Sequence, residues 1–286
     1  MTACRNASKV GCYTQKVSGI NMSIKPNSTT LVDLGSYKLE VTIHGPPRRA
    51  HNPIVIILPD IGSSIKEWTA VTEILADSMS VVNYERAGYG QSESVPSDKP
   101  RSPAALAEEL HLFLRAAKIT PPYIMISHSY SSAILREFTN LRNLAQFKGF
   151  VFVDAKSDPT LEARRLGADT LYGDNHRLSD TAWQALLDEE ARAEYQAAAG
   201  REIAEYQEIW NGEEHEYGRV PLVVLRPDVD GDVQSKRIDQ TRDEALLRLS
   251  ERSEFRPVLS LGRDVQFVAP EMVAQAVVWI LIQYRC

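Results

Sequence analysis

The stretch Tyr123-Ile-Met-Ile-Ser-His-Ser129-Tyr-Ser131 runs without a break into Ser132-Ala-Ile-Leu-Arg-Glu-Phe138. The first part is an apolar β-type run and the second has helical spacing. A chain that turns from strand to helix without a loop must bend sharply at one residue. That residue is strained, and its side chain is lifted above the sheet edge. Here it is Ser129. The two backbones nearly touch at such a bend, so the residues two before and two after must be small, as Ser127 and Ser131 are. A serine displayed in this way is a candidate nucleophile.

Working outward from that bend, apolar runs alternate with amphipathic segments. Thr30 to Leu34 and Tyr37 to Ile43 read as an antiparallel pair around Gly35-Ser36, and Pro53 to Leu58 as a buried parallel strand. Ser64-Ile-Lys-Glu67 has the form of a capping box opening a helix with Trp68, Val71, Ile74 and Leu75 on its apolar face. Met79 to Tyr84 reads as a strand. Ser102 and Pro103 start a helix that reaches Lys118. Beyond the bend come a strand at Phe150 to Val153, a strand at Pro221 to Leu225, and a helix near Thr241 to Leu249. A strand at Arg256 to Leu259 and a last helix from Pro270 to Tyr284 complete the series. Such alternation predicts a mostly parallel sheet with helices on both faces.

The region between Val153 and Pro221 is helical in pattern. Trp183, Leu186 and Leu187 mark one apolar stripe, and Ile203, Tyr206 and Trp210 another. The predicted organisation is a mobile arm over residues 1–27, a core over 28–154 and 219–286, and a helical lid over 155–218. From Ala155 to Gly218 there are 15 Asp and Glu against 6 Lys and Arg, read as solvated helix faces.

Composition narrows the function. The 286 residues carry a net charge of −6, which argues against a nucleic-acid partner. No apolar run reaches the roughly 18 residues of a membrane span. The first ten residues lack an apolar signal core, so the sequons at Asn6, Asn21 and Asn27 read as chance matches. Cys4, Cys12 and Cys286 have no metal-ligand spacing and read as free thiols. A cytoplasmic protein without metal or cofactor is the expectation.

Four motifs in order resemble those of the α/β-hydrolase superfamily. Pro59-Asp-Ile-Gly-Ser-Ser64 with Trp68 is similar to the family's His-Gly-x-Gly loop. Glu85-Arg-Ala-Gly-Tyr-Gly-Gln-Ser92 is similar to its Asp-Arg-x-Gly-x-Gly-x-Ser loop. Ser127 to Ser131 is similar to its nucleophile elbow, and Phe152-Val-Asp154 to the end of its sixth strand. The resemblance spans about Thr30 to Tyr284. It implies an eight-stranded, mostly parallel sheet flanked by helices, with the lid inserted after the sixth strand.

The resemblance also implies site residues. Ser129 takes the nucleophile position, the backbone N–H groups of Ile61 and Tyr130 the oxyanion donors, and Asp230 the acid, with Asp228 and Asp232 close by. The family's Gly-His-x-Ile ending corresponds to Gly262-Arg263-Asp264-Val265, so Arg263 stands where the catalytic histidine would be. Arginine stays protonated and cannot take the serine's proton. His128 precedes the nucleophile at a position that points away from the family's pocket. His44, His51 and His111 read as strand-end or surface residues. His176 and His215 belong to the lid, and with Trp183, Tyr206 and Trp210 they are candidates to roof an apolar pocket.

The leading expectation is an enzyme of small-molecule metabolism, secondary metabolism included, with a degenerate triad. It would bind an apolar carbonyl substrate and carry out a cyclisation, isomerisation or lyase-type step. A serine esterase or thioesterase with an unusual base is the first alternative, and a ligand-binding pseudoenzyme the second.

Overall fold

A computed structural model of the chain describes residues 24–155, 167–205, 216–228, 233–259 and 264–285. Two strands, β1 (Thr30–Asp33) and β2 (Lys38–His44), form the expected antiparallel pair. β3 (Ile54–Leu58) is followed by a single 3-10 turn (Ile65–Trp68), helix α1 (Thr69–Ala76) and β4 (Val81–Tyr84). Then come α2 (Pro103–Ala116), β5 (Tyr123–His128), α3 (Ser131–Asn140) and β6 (Phe147–Val153). The insertion before the next strand holds α4 (Gly167–Tyr172), α5 (Asp180–Glu190) and α6 (Ala193–Ala204). The chain ends with β7 (Leu222–Asp228), α7 (Val233–Arg248), β8 (Ser253–Leu259), a short α8 (Val265–Val268) and α9 (Pro270–Arg285). The predicted N-terminal arm and all three cysteines lie outside the described residues, apart from Ile24 to Asn27.

The strands form one eight-stranded sheet in the order β1-β2-β4-β3-β5-β6-β7-β8, parallel from β4 to β8. Two-residue periodicity divides the core strands between two layers. Ile56 and Leu58 of β3, Met125 of β5, Phe150 and Phe152 of β6 and Val224 of β7 pack with Leu110, Phe113, Ile134 and Phe138 of α2 and α3. Val55, Ile57, Ile124, Ile126, Val151 and Val223 point the other way, onto Val71 of α1 and Val273, Val277 and Ile280 of α9. Both faces of β3 and β5 are therefore buried, which is why those runs are almost wholly apolar.

The helix expected from Ser64 begins later, and its cap differs from a capping box. Ser64 Oγ accepts from Lys66 N at 3.1 Å and donates to the carboxylate of Glu85 at 2.5 Å. A buried long-range acceptor has taken the hydroxyl, and the first turn tightens to 3-10. Elsewhere the structure extends the expected elements. β6 begins at Phe147, α7 at Val233 and β8 at Ser253, because strand pairing and packing stabilise ends that lack a sequence signal.

Gly149 marks the closest approach of the sheet to α9. A Cβ there would lie 2.2 Å from Ile280 Cγ2, and Ile280 is fully buried and stiff at its branched Cβ. Gly149→Ala is expected to cost about 1–3 kcal/mol by overpacking. In an Ile280→Ala background the same change should cost much less, a non-additivity that denaturant titration of the four proteins of the cycle will read.

Candidate active site

The elbow has the geometry that its sequence demands. Every residue of β5 is buried, and Ser129 follows with φ of 49°, the left-handed region that a non-glycine residue enters only under constraint. The Ser129 N–H donates to Val153 O at 3.0 Å, holding the bend against β6. Ser131 is more than small. Its hydroxyl donates to Leu58 O at 2.6 Å and accepts from His128 N at 2.8 Å, stapling the elbow to the end of β3. A glycine at that position would lack this staple.

The backbone N–H groups of Ile61 and Tyr130 converge on one oxygen, and that oxygen is Asp60 Oδ1. The distances are 2.7 Å from Ile61 N and 2.9 Å from Tyr130 N. Asp60 is 3% exposed and Ser129 5%. A side-chain carboxylate thus fills the pair of donors that the family resemblance assigned to an oxyanion. The sequence shows an aspartate where the family's loop carries glycine; only the folded chain shows which donors it reaches.

Arg86 fixes the loop that carries Asp60. Its guanidinium donates to Pro59 O at 3.0 Å and Asp60 O at 2.8 Å, and it forms a two-pronged pair with Glu202 of α6 at 2.8 and 2.9 Å. Tyr89 OH donates to Glu202 at 3.0 Å, and Arg101 bridges Glu202 and Glu109. Burial opposes ionisation of Glu202, but the Arg86 guanidinium, with Arg101 and the Tyr89 hydroxyl, outweighs it and holds the carboxyl below its ordinary value. In α5, Glu189 accepts from Gly90 N at 2.6 Å and from Lys66 at 2.9 Å. Tyr195 of α6 donates to Gly62 O at 2.5 Å. Gly88, at φ of 91°, leaves no room for a side chain, since a Cβ would lie 2.6 Å from Ala198 of α6. The inserted helices are therefore pinned to the loops after β3 and β4. Two acidic residues of this region depart from the reading of solvated faces: Glu189 and Glu202 are buried, because Lys66, Arg86 and Arg101 receive them.

His128 is fully buried, with its ring edge-on to Trp68 at 5.7 Å and Nε2 3.4 Å from Asp264 Oδ1. Tyr172 of α4 donates its hydroxyl to Asp264 Oδ2. This Tyr172–Asp264–His128 chain ties the insertion to the strand that presents Ser129, and its members carry no sequence pattern that announces it. His176 stacks on Trp183 at 3.9 Å, and Trp183 meets Phe267 edge-on at 5.8 Å, within the packing between the insertion and α8. His176, Val268, and the strand-end residues Asp228 and Leu259 border an open cleft of about 640 Å³. Asp230, Asp232, Arg263, Tyr206, Trp210 and His215 lie outside the described residues.

Among the described residues no three His, Cys, Asp or Glu side chains are grouped to hold a metal ion, and no helix is long and apolar enough to cross a membrane. Glu85 titrates within the range where proteins are handled. Burial pushes its carboxyl up to about 8, against hydrogen bonds from Ser64 and the Ile65 N–H. Folding favours the protonated form, so its contribution to stability is present in full below the ordinary value of 4.5 and is lost as pH rises through about 8. The wild type should lose denaturant resistance from about pH 5 to about pH 9, and Glu85→Gln, neutral throughout, should lose less over that range.

No protein-family model matches the chain. It is 24% identical over 295 residues to "AB hydrolase superfamily protein" of Gibberella zeae, an alignment covering 84% of this chain and 90% of that protein. It is 30% identical over 131 residues to "Probable transporter efuK" of Hormonema carpetanum, covering 46% of this chain; the chain spans only 19% of that protein's length. Among solved structures, the fold matches a protein described as a putative lipase from Acinetobacter baumannii AYE with a TM-score of 0.68 at 14% identity, over 90% of this chain and 92% of that one. It also matches one described as a putative epoxide hydrolase from Pseudomonas aeruginosa with a TM-score of 0.65 at 15% identity, over 90% and 97%. At such identities the structural likeness speaks for fold, and sheet order, elbow and full-length alignment agree on it. The chain has the α/β-hydrolase fold.

Proposed function

We propose that the chain is an enzyme that transforms an apolar small molecule beside Ser129 without passing through an acyl-enzyme. The reaction class is a cyclisation, isomerisation or elimination of a carbonyl compound, of the kind secondary metabolism uses. The observation that carries this reading is the occupation of both oxyanion donors by Asp60 Oδ1. Acyl transfer needs those donors at the moment negative charge appears, and losing even one costs a factor of about 10²–10³. An oxyanion forming about 4 Å from a carboxylate would meet a further repulsion of about 4 kcal/mol at an effective dielectric near 20. Both effects oppose hydrolysis by the usual route.

In this reading Ser129 holds the substrate by a hydrogen bond instead of attacking it. Arg263 pairs with Asp230 or grips an enolate or carboxylate of the substrate with its planar fork. Trp183, His176, Tyr206 and Trp210 wall the apolar side. An esterase with a base from elsewhere and a binding protein without chemistry are the competing outcomes of the test.

A fluorophosphonate probe and a short-chain nitrophenyl ester should leave wild-type Ser129 unlabelled and show no acyl burst. Arg263→His alone should add little, because the donors remain filled, and Asp60→Gly alone should add little, because no base is present. The double variant should hydrolyse the ester and label at Ser129, with a gain well beyond the product of the two single effects. Rapid stoichiometric labelling of the wild type would overturn the reading in favour of an esterase.

A further inference from the structure

We propose that Asp60 is the proton-accepting catalytic residue of this site, and that its substrates are carbon acids or enols activated by neighbouring carbonyl groups. This deepens the reading above and rests on it. Asp60 inverts the polarity of the place where the reacting oxygen of an acyl substrate would sit. Two N–H donors end on its carboxylate at 2.7 and 2.9 Å, so a ligand meets an acceptor in a position otherwise built from donors. Groups that develop negative charge are repelled there. Groups that carry a removable proton are attracted.

The carboxylate is also held for the task. Both of its backbone anchors sit on rigid elements: Tyr130 opens α3 directly after the strained Ser129, and Ile61 lies in the loop that Arg86 grips through Pro59 O and Asp60 O. The same guanidinium is locked in the two-pronged pair with Glu202, itself fully buried. A base fixed in this way needs no reorganisation when the proton moves, and its burial keeps water from competing for it. A carboxylate is a mild base, so it deprotonates only C–H or O–H groups already acidified by conjugation. That chemistry selects the substrate class.

The test uses 5-nitrobenzisoxazole, whose ring opening needs one base and nothing else. The Asp60 carboxylate takes the proton from C3. The C–H electron pair becomes the second π bond of a nitrile as the N–O bond breaks, and the oxygen leaves as a coloured phenolate. The full-length wild type should open the probe with saturation and faster than acetate of the same pH. Asp60→Asn, which keeps an oxygen for the two N–H groups, should lose about 100-fold or more, the usual share of a positioned base. Asp60→Ala should be equally slow and regain rate on addition of sodium acetate, a rescue that a merely structural role would not show. A wild type no faster than acetate, an Asp60→Asn rate within a few-fold of wild type, or Asp60→Ala without rescue would each overturn the proposal. Ser129 labelling is a separate readout, so failure here leaves the non-acyl reading to stand or fall on the fluorophosphonate result.

Discussion

The buried pair between Arg86 and Glu202 is the interaction on which the site depends. It joins residues 116 positions apart, and neither side chain is more than 3% exposed. Removing one partner of such a pair leaves an uncompensated charge in the interior, at a typical cost of 3–5 kcal/mol. The pair persists because the remaining hydrogen-bonding capacity is used. Tyr89 and Arg101 reach Glu202, and Arg86 spends its other donors on the carbonyls of Pro59 and Asp60. One guanidinium thus sets the backbone of the loop after β3 and seats α6 upon it.

From that arrangement the state of the cradle follows. The Ile61 and Tyr130 amides converge on one oxygen, their directions set by the loop backbone and the elbow. A short acceptor at position 60 then falls within reach of both. Glycine there would leave the pair open and glutamate would overshoot; aspartate has the length that lets Oδ1 meet both at hydrogen-bond distance. The same rigidity that would serve an oxyanion holds a carboxylate.

What was legible in the sequence was local. The elbow could be read because strand, serine and helix are contiguous, and the two-layered sheet because runs such as Ile54 to Leu58 are apolar on both faces. The amides of Ile61 and Tyr130 could be paired from motif position, and the structure brings them to one oxygen. What fills them could not be read, since it depends on where one carboxylate settles after the loop is pinned. Glu189 and Glu202 were hidden for a related reason. Within a strongly acidic helical stretch they look like their solvated neighbours, and only partners from distant loops, Lys66, Gly90, Arg86 and Arg101, single them out. Pairing between distant charges leaves no periodicity to read.

The superfamily's fold supplies a strained serine, a pair of amides and a covered sheet edge, and none of these dictates a reaction. Chemistry is decided by which charge stands at the amides and which group can move a proton to or from the serine. Asp60 fills the amides with a carboxylate, and if arginine stands at the histidine position, as proposed above, both terms change together. Either change alone would leave a crippled hydrolase: one with donors but no base, or with a base but no place for the oxyanion. Together they remove the demand for both, since a site that never builds an oxyanion needs neither. On the proposed reading Asp60 and Arg263 form a coupled exchange, in which the acceptor and the cation trade places relative to an acyl-transfer site.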